Sequence, residues 1–194
     1  MSTVLAISSS PRRNGNSELV LRSLVQGVED SGSDAHVVRL NELKFRPCQG
    51  CERCAATGDC IQKDDMENLY PQVVSASGLV LATPVYFGSM SAQLKMFIDR
   101  FQCWWHAKYR LQAPKVDGEE RRPGFFICVG GQRKKDYCEN ALEIARFFFQ
   151  SINFHYTDCL CYRGIDEKGA IKEHSTALQE AWEAGAEFAQ GMAN

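Results

Sequence analysis

Five short apolar runs, each followed by a stretch of helical periodicity, divide the chain into repeated strand–helix units. The runs fall at residues 4–7, 36–40, 79–82, 125–129 and 154–162. Those at 4–7, 79–82 and 125–129 are nearly continuous in apolar residues, the pattern of strands covered on both faces. Helical patterning occupies 17–30, 66–75, 92–105, 136–151 and 171–192. Strict alternation of this kind predicts a parallel sheet with helices on both faces and right-handed crossovers. The 194 residues are expected to form a single domain spanning 1–194, with no linker and no repeat beyond the strand–helix unit.

The net charge of −2 argues against nucleic acid or an anionic membrane as the main partner. No apolar run approaches the roughly 20 residues of a membrane span, and the first residues lack a basic-then-apolar signal. A cytoplasmic location is therefore expected. The nine cysteines, an odd number with four of them clustered, do not read as a secreted disulfide framework.

Ligands of an open parallel sheet bind beyond the carboxyl ends of its strands, where the strand order reverses. Three loops leave strand ends that converge there. The first runs from Ser9 to Ser17 and is rich in Ser, Asn and Gly; with the helix after it, it offers backbone N–H groups and a helix dipole to a phosphate. The second, Thr83-Pro84-Val85-Tyr86-Phe87-Gly88-Ser89-Met90, combines a tight backbone with two flat aromatic faces, suited to a planar ring. The third, Gly130-Gly131-Gln132, allows close backbone approach.

In the first two of these loops, and in the following Ser91-Ala92-Gln93-Leu94-Lys95 and Phe97-Ile98-Asp99-Arg100, the whole chain resembles the flavodoxin-like NAD(P)H-dependent FMN reductases and iron–sulfur flavoproteins. The resemblance implies a doubly wound five-stranded sheet of order 2-1-3-4-5, with FMN as cofactor and NAD(P)H as electron donor. It implies that Ser10, Arg12, Asn16 and Ser17 hold the FMN phosphate, with Asn14 in the same loop. Ser9 stands where glycine is common and is expected to add a donor. Pro84, Val85, Tyr86, Phe87 and Gly88 would line the isoalloxazine, with Thr83 also binding the cofactor, and Gly130 and Gly131 would close the site. On this view Asn16→Ala weakens FMN more than riboflavin.

Cys48, Cys51, Cys54 and Cys60 lie in the connection 41–65, with Gly50 and Gly58 to let it curl. Close spacing lets one short loop wrap a cluster with thiolates, and the motif is similar to that of the iron–sulfur flavoproteins, which carry a [4Fe–4S] cluster. Zinc and bare thiols stay open as alternatives, although structural zinc sites usually pair two more widely separated knuckles. Cys128, Cys159 and Cys161, in strand patterns, read as small packed hydrophobes. Cys103 and Cys138, in helical patterns, give no signal.

The four histidines show no ligand spacing. His106, beside Trp104 and Trp105, reads equally as core packing and as a group that covers the flavin, meets a substrate or forms a subunit contact. Asp64 and Asp65 are expected to cap the next helix. The expected activity is an FMN oxidoreductase passing electrons from NAD(P)H or a reduced protein to a small acceptor or redox protein. The acceptor class is open, and a homodimer or homotetramer is expected. The rivals are a non-enzymatic electron carrier and a flavin-free binding domain of the same architecture.

Overall fold

The computed structural model describes residues 2–118, 122–133 and 136–192. Glu119, Glu120 and Arg121 of the polar connection 106–123 therefore lie outside the described residues. The elements begin with β1 (Thr3–Ser8), α1 (Asn16–Asp30), β2 (Asp34–Arg39), α2 (Met66–Ser75), β3 (Gly78–Tyr86) and β4 (Ser89–Met90). They continue with α3 (Ala92–Arg100), α4 (Gln102–Tyr109), β5 (Pro123–Gly130), α5 (Asp136–Ser151), β6 (His155–Arg163) and α6 (Ala177–Gly191).

Five strands are parallel, in the order β2-β1-β3-β5-β6, while the short β4 folds back antiparallel on β3. This is the flavodoxin-like order 2-1-3-4-5 with one hairpin strand added. The continuous apolar runs of β1, β3 and β5 fill the centre, and every residue of β5 is buried. β2 and β6 are edges and are mostly exposed or half-buried. Two cores result. One lies under α1 and α6 with Val4, Ala6, Val80 and Ile127; the other lies under α2 to α5 with Leu5, Ile7, Leu81 and Phe126.

Two expected helices break. The pattern 92–105 divides at Phe101 because the Arg100 carbonyl accepts from the Tyr70 hydroxyl at 2.9 Å and the Cys103 thiol at 3.3 Å, while the Trp104 N–H turns to the Phe101 carbonyl. Phe101 then packs edge-on against Tyr70, Phe97, Trp104 and Phe148. The pattern 171–192 becomes a 3-10 turn, Ala170–Glu173, followed by α6. The gap is set by side chains: Asn16 accepts the N–H groups of Gly169 and Ile171, and His174 Nδ1 accepts that of Ala177 at 3.2 Å.

Candidate cofactor site

The first loop closes with the Gly15 N–H donating to the Arg12 carbonyl at 3.0 Å, and Gly15 then caps α1. A Cβ on Gly15 would stand 2.8 Å from Ser10 Oγ and 3.0 Å from the Arg12 carbonyl. The cradle therefore exists only because that side chain is missing. Ser10, Arg12, Gly15, Asn16 and Ser17 line a concavity at the start of α1, together with Pro84, Val85, Tyr86, Gly130 and Gly131. The helix start presents N–H groups that lack intrahelical partners, which favours an anion there. Arg12 and Lys168 add positive charge from two sides, while Asp166 sets a carboxylate beside Gly131.

A second concavity adjoins it, sharing Val85, Gly131 and Asp166 and adding Phe87, Gly88, Gln132 and Tyr137. Phe87 and Gly88 form the two-residue turn between β3 and β4 with φ of +48° and +76°. Two positive φ values suit a tight hairpin, but Phe87 holds its own against the preference of a bulky residue. Its ring is fully exposed, at 110 % of the reference area. Tyr137 packs against Gly88, where a Cβ would come within 2.8 Å of its ring.

Four of the expected contacts are committed elsewhere. Ser9 is completely buried; its hydroxyl donates to the Ala82 carbonyl at 2.9 Å and accepts from Ser91 at 2.9 Å, so it adds no donor to the concavity. Thr83 is buried too, accepting the Ser91 N–H and donating to the Pro84 carbonyl. Asn14 turns outward at φ +57°, its side-chain oxygen taken by Arg22 and its N–H by the buried Glu18. Asn16 borders the concavity, but its amide donates to the Glu167 carbonyl at 2.8 Å and accepts from Gly169 and Ile171. It therefore ties the loop after β6 to α1. Ile165, Asp166, Lys168 and Tyr137 were not anticipated. The polar run Asp166-Glu167-Lys168-Gly169 at a fifth strand's carboxyl end was the available signal.

Cys48, Cys51, Cys54 and Cys60 all line one separate cavity of about 500 Å³, completed by Arg100, Trp105, His106 and Arg110. Arg100 is 1 % exposed and gives that cavity its floor. It donates to the Arg46 carbonyl, to Asp64 Oδ2 at 2.6 Å and to Cys60 Sγ at 3.5 Å. Burial raises the Asp64 carboxyl, but Arg100 and the N–H groups of Arg46 and Met66 outweigh it and hold it below the usual range. Asp64 does accept the Met66 N–H at the start of α2, whereas Asp65 accepts from the Lys44 N–H at 2.6 Å. Burial pushes the Cys54 thiol up, and repulsion from Cys48, Cys60 and Cys51 adds to it. His106 Nδ1 and Arg100 Nε are buried without hydrogen-bond partners among the described residues.

The thiol spacing bears on which occupant fits. Zinc–sulfur bonds of about 2.3 Å draw thiolates to roughly 3.8 Å from one another. Among the described residues no three of the loop thiols lie within 4.8 Å of one another. A four-iron cluster takes its thiolates at separate iron corners and does not require them in mutual contact. Trp105 and His106 border this cavity and not the concavity at α1, and Trp104 is buried, so within one subunit this cluster of rings does not cover the flavin site.

The model of the NADPH-dependent FMN reductase family matches residues 2–153. The chain belongs to that family. Within it, the chain is 38% identical over 97 residues to an iron–sulfur flavoprotein of Methanocaldococcus jannaschii, covering 50% of each. It is 38% identical over 130 residues to one of Archaeoglobus fulgidus, covering 67% of this chain and 63% of that one. The chain thus spans between half and two thirds of these relatives' length. The fold is shared with an NAD(P)H:quinone oxidoreductase from Methanothermobacter marburgensis, with a TM-score of 0.71 and 19% identity over 96% of both chains. It is shared also with the azoreductase AzrA, with a TM-score of 0.73 and 13% identity over 96% of this chain and 100% of that one. Among the described residues no helix is long and apolar enough to cross a membrane.

Proposed function

We propose that this FMN reductase family member is an FMN oxidoreductase that takes electrons from NAD(P)H or a reduced protein and delivers them to a small acceptor or redox protein. The concavity at the start of α1 carries the reading, because Ser10, Gly15 and Ser17 line it where the α1 N-terminus, Arg12 and Lys168 all favour negative charge. FMN, when bound, supplies a two-electron carrier that can release electrons singly or in pairs. Ser10, Arg12, Gly15, Ser17 and Lys168 would hold its phosphate. Val85, Tyr86, Phe87, Gly88, Gly130 and Gly131 would border its ring system, with Tyr137 supporting the hairpin. The Ser9–Ser91–Thr83 hydrogen bonds lock the phosphate loop to the ring loop, which keeps the site in shape without ligand.

We assign the cavity of Cys48, Cys51, Cys54 and Cys60 to a [4Fe–4S] cluster, supported by four thiols lining one cavity and by the Arg100 guanidinium that reaches Cys60 there. The nine free thiols fit a reducing cytoplasm. The test is anaerobic purification followed by flavin release, iron and sulfide analysis, and NADPH oxidation. The expected result is FMN and not FAD, about four irons and four sulfides per chain, and steady-state turnover. Cys51→Ser should lose the cluster and keep FMN. Flavin that exchanges electrons only between proteins and turns over no small acceptor would make the chain an electron carrier, and colourless protein that FMN cannot reconstitute would refute the reading.

A further inference from the structure

A second group of thiols lies apart from the loop cysteines. Cys128 on β5, Cys138 on α5 and Cys161 on β6 place their sulfur atoms within 4.8 Å of one another, and among the described residues they are the only such trio of potential ligands. Cys128 and Cys138 are 3.2 Å apart, sulfur to sulfur, and Cys159 stands 3.9 Å from Cys161. The parallel register sets Cys128 directly against Cys161, while period two places Cys159 on the same face of β6. α5 brings Cys138 down on that face.

We propose that Cys128, Cys138 and Cys161, with Cys159 in reach as a fourth ligand, bind one thiophilic d10 cation, Zn(II) or Cu(I). Thiolates around such an ion stand roughly 3.8 Å apart, and the observed separations bracket that value. The trio converges from three elements on one point, whereas a disulfide would need only two. Cys128 and Cys138 are buried, but Cys159 and Cys161 are half-buried on an edge strand, which leaves an entry path. Arg163 lies two residues beyond Cys161, and Arg146 stacks 4.7 Å over Tyr156 near Cys159; both offset the excess negative charge of several thiolates. The site does not depend on the flavin reading. It does lie next to it, since Cys128 precedes Gly130 by two residues and Cys138 follows Tyr137.

The experiment uses the full chain carrying Cys48→Ser, Cys51→Ser, Cys54→Ser and Cys60→Ser, which leaves five of the nine cysteines. Reduced protein is titrated with Zn(II) and, separately, Cu(I), each against a competing chelator. One equivalent of one or both ions should bind, and the arm that binds more tightly identifies the ion. Adding Cys138→Ser and Cys161→Ser should weaken binding at least about a hundredfold, while Cys103→Ser, beside Tyr70, should leave it unchanged. Should the ligand variants unfold, X-ray absorption on the bound ion decides independently. A first shell of three or four sulfurs at about 2.3 Å supports the site. A nitrogen or oxygen shell, no stoichiometric binding of either ion, or a Cys128–Cys138 disulfide in place of bound metal overturns it.

Discussion

Single side chains decide whether a polar loop becomes a ligand site, and Gly15 and Asn16 show the two outcomes. At Gly15 the chain withholds atoms, so Gly15→Ala forces Ser10 or the Arg12 carbonyl to move. FMN affinity should fall by about tenfold or more, or ~1.4 kcal/mol, with little loss for riboflavin; paired fluorescence titrations check this. Asn16 was expected to hold phosphate, yet its amide oxygen and one of its two N–H donors are taken by the loop after β6. Asn16→Ala should therefore cost about 1–2 kcal/mol of stability and weaken FMN and riboflavin alike. A selective loss of FMN would return Asn16 to the phosphate. A buried pair ties the cysteine loop in a similar way. Asp64 has its carboxyl held below the ordinary value by Arg100, so its contribution is full above the unfolded value of about 3.9 and is lost as pH falls through the lower folded value. Asp64→Asn leaves the Arg100 charge buried without its counterion and should cost about 3–5 kcal/mol at neutral pH. The gap from the parent chain should begin to narrow below about pH 4 and close only once pH has fallen through the lower folded value, as read in denaturant melts.

Between elements, the closest approach is α1 against α6. A Cβ on Gly27 would lie 2.0 Å from the Trp182 carbonyl, and one on Gly185 would lie 2.0 Å from the Leu24 carbonyl. The backbones touch where both side chains are absent, and Trp182 donates to Asp30 to hold the crossing. Gly27→Ala gains helix propensity but must push the helices apart, for a net cost of about 1–3 kcal/mol by thermal or denaturant unfolding. An unchanged melting temperature would show that α6 can shift freely. The same helix pair carries the start of α1 to the cofactor concavity, so the variant should also weaken FMN.

For the whole molecule, the concavity at α1 and the cysteine cavity share no lining residue. A second copy is the simplest route between them. A groove of Ile98, Trp105, Ile144 and Phe147, the last 63% exposed, adjoins the cysteine cavity through Asp99, Gln102 and Trp105. The expected state is a homodimer or homotetramer closed by symmetry over that groove. Sedimentation at micromolar concentration should show it, and Phe147→Lys should shift it toward monomer. A monomeric parent chain would remove the assembly.

The sequence by itself determined the parallel sheet with helices on both faces and the three loops gathered at one edge. Both depend on local periodicity and on the rule that short connections leave strand ends together. The strand order came with the family resemblance, which reads motifs and not forces. Tertiary structure decided which short polar residues face the site. Ser9, Thr83, Asn14 and Asn16 can each hydrogen-bond a ligand or a backbone group equally well. The choice rests on partners as distant in sequence as Ala82 from Ser9 and Gly169 from Asn16. The helix break at Phe101 depends in the same way on Tyr70, and the thiol trio on the register of β5 with β6. Such contacts have no local pattern, because they exist only once the sheet has brought remote segments side by side.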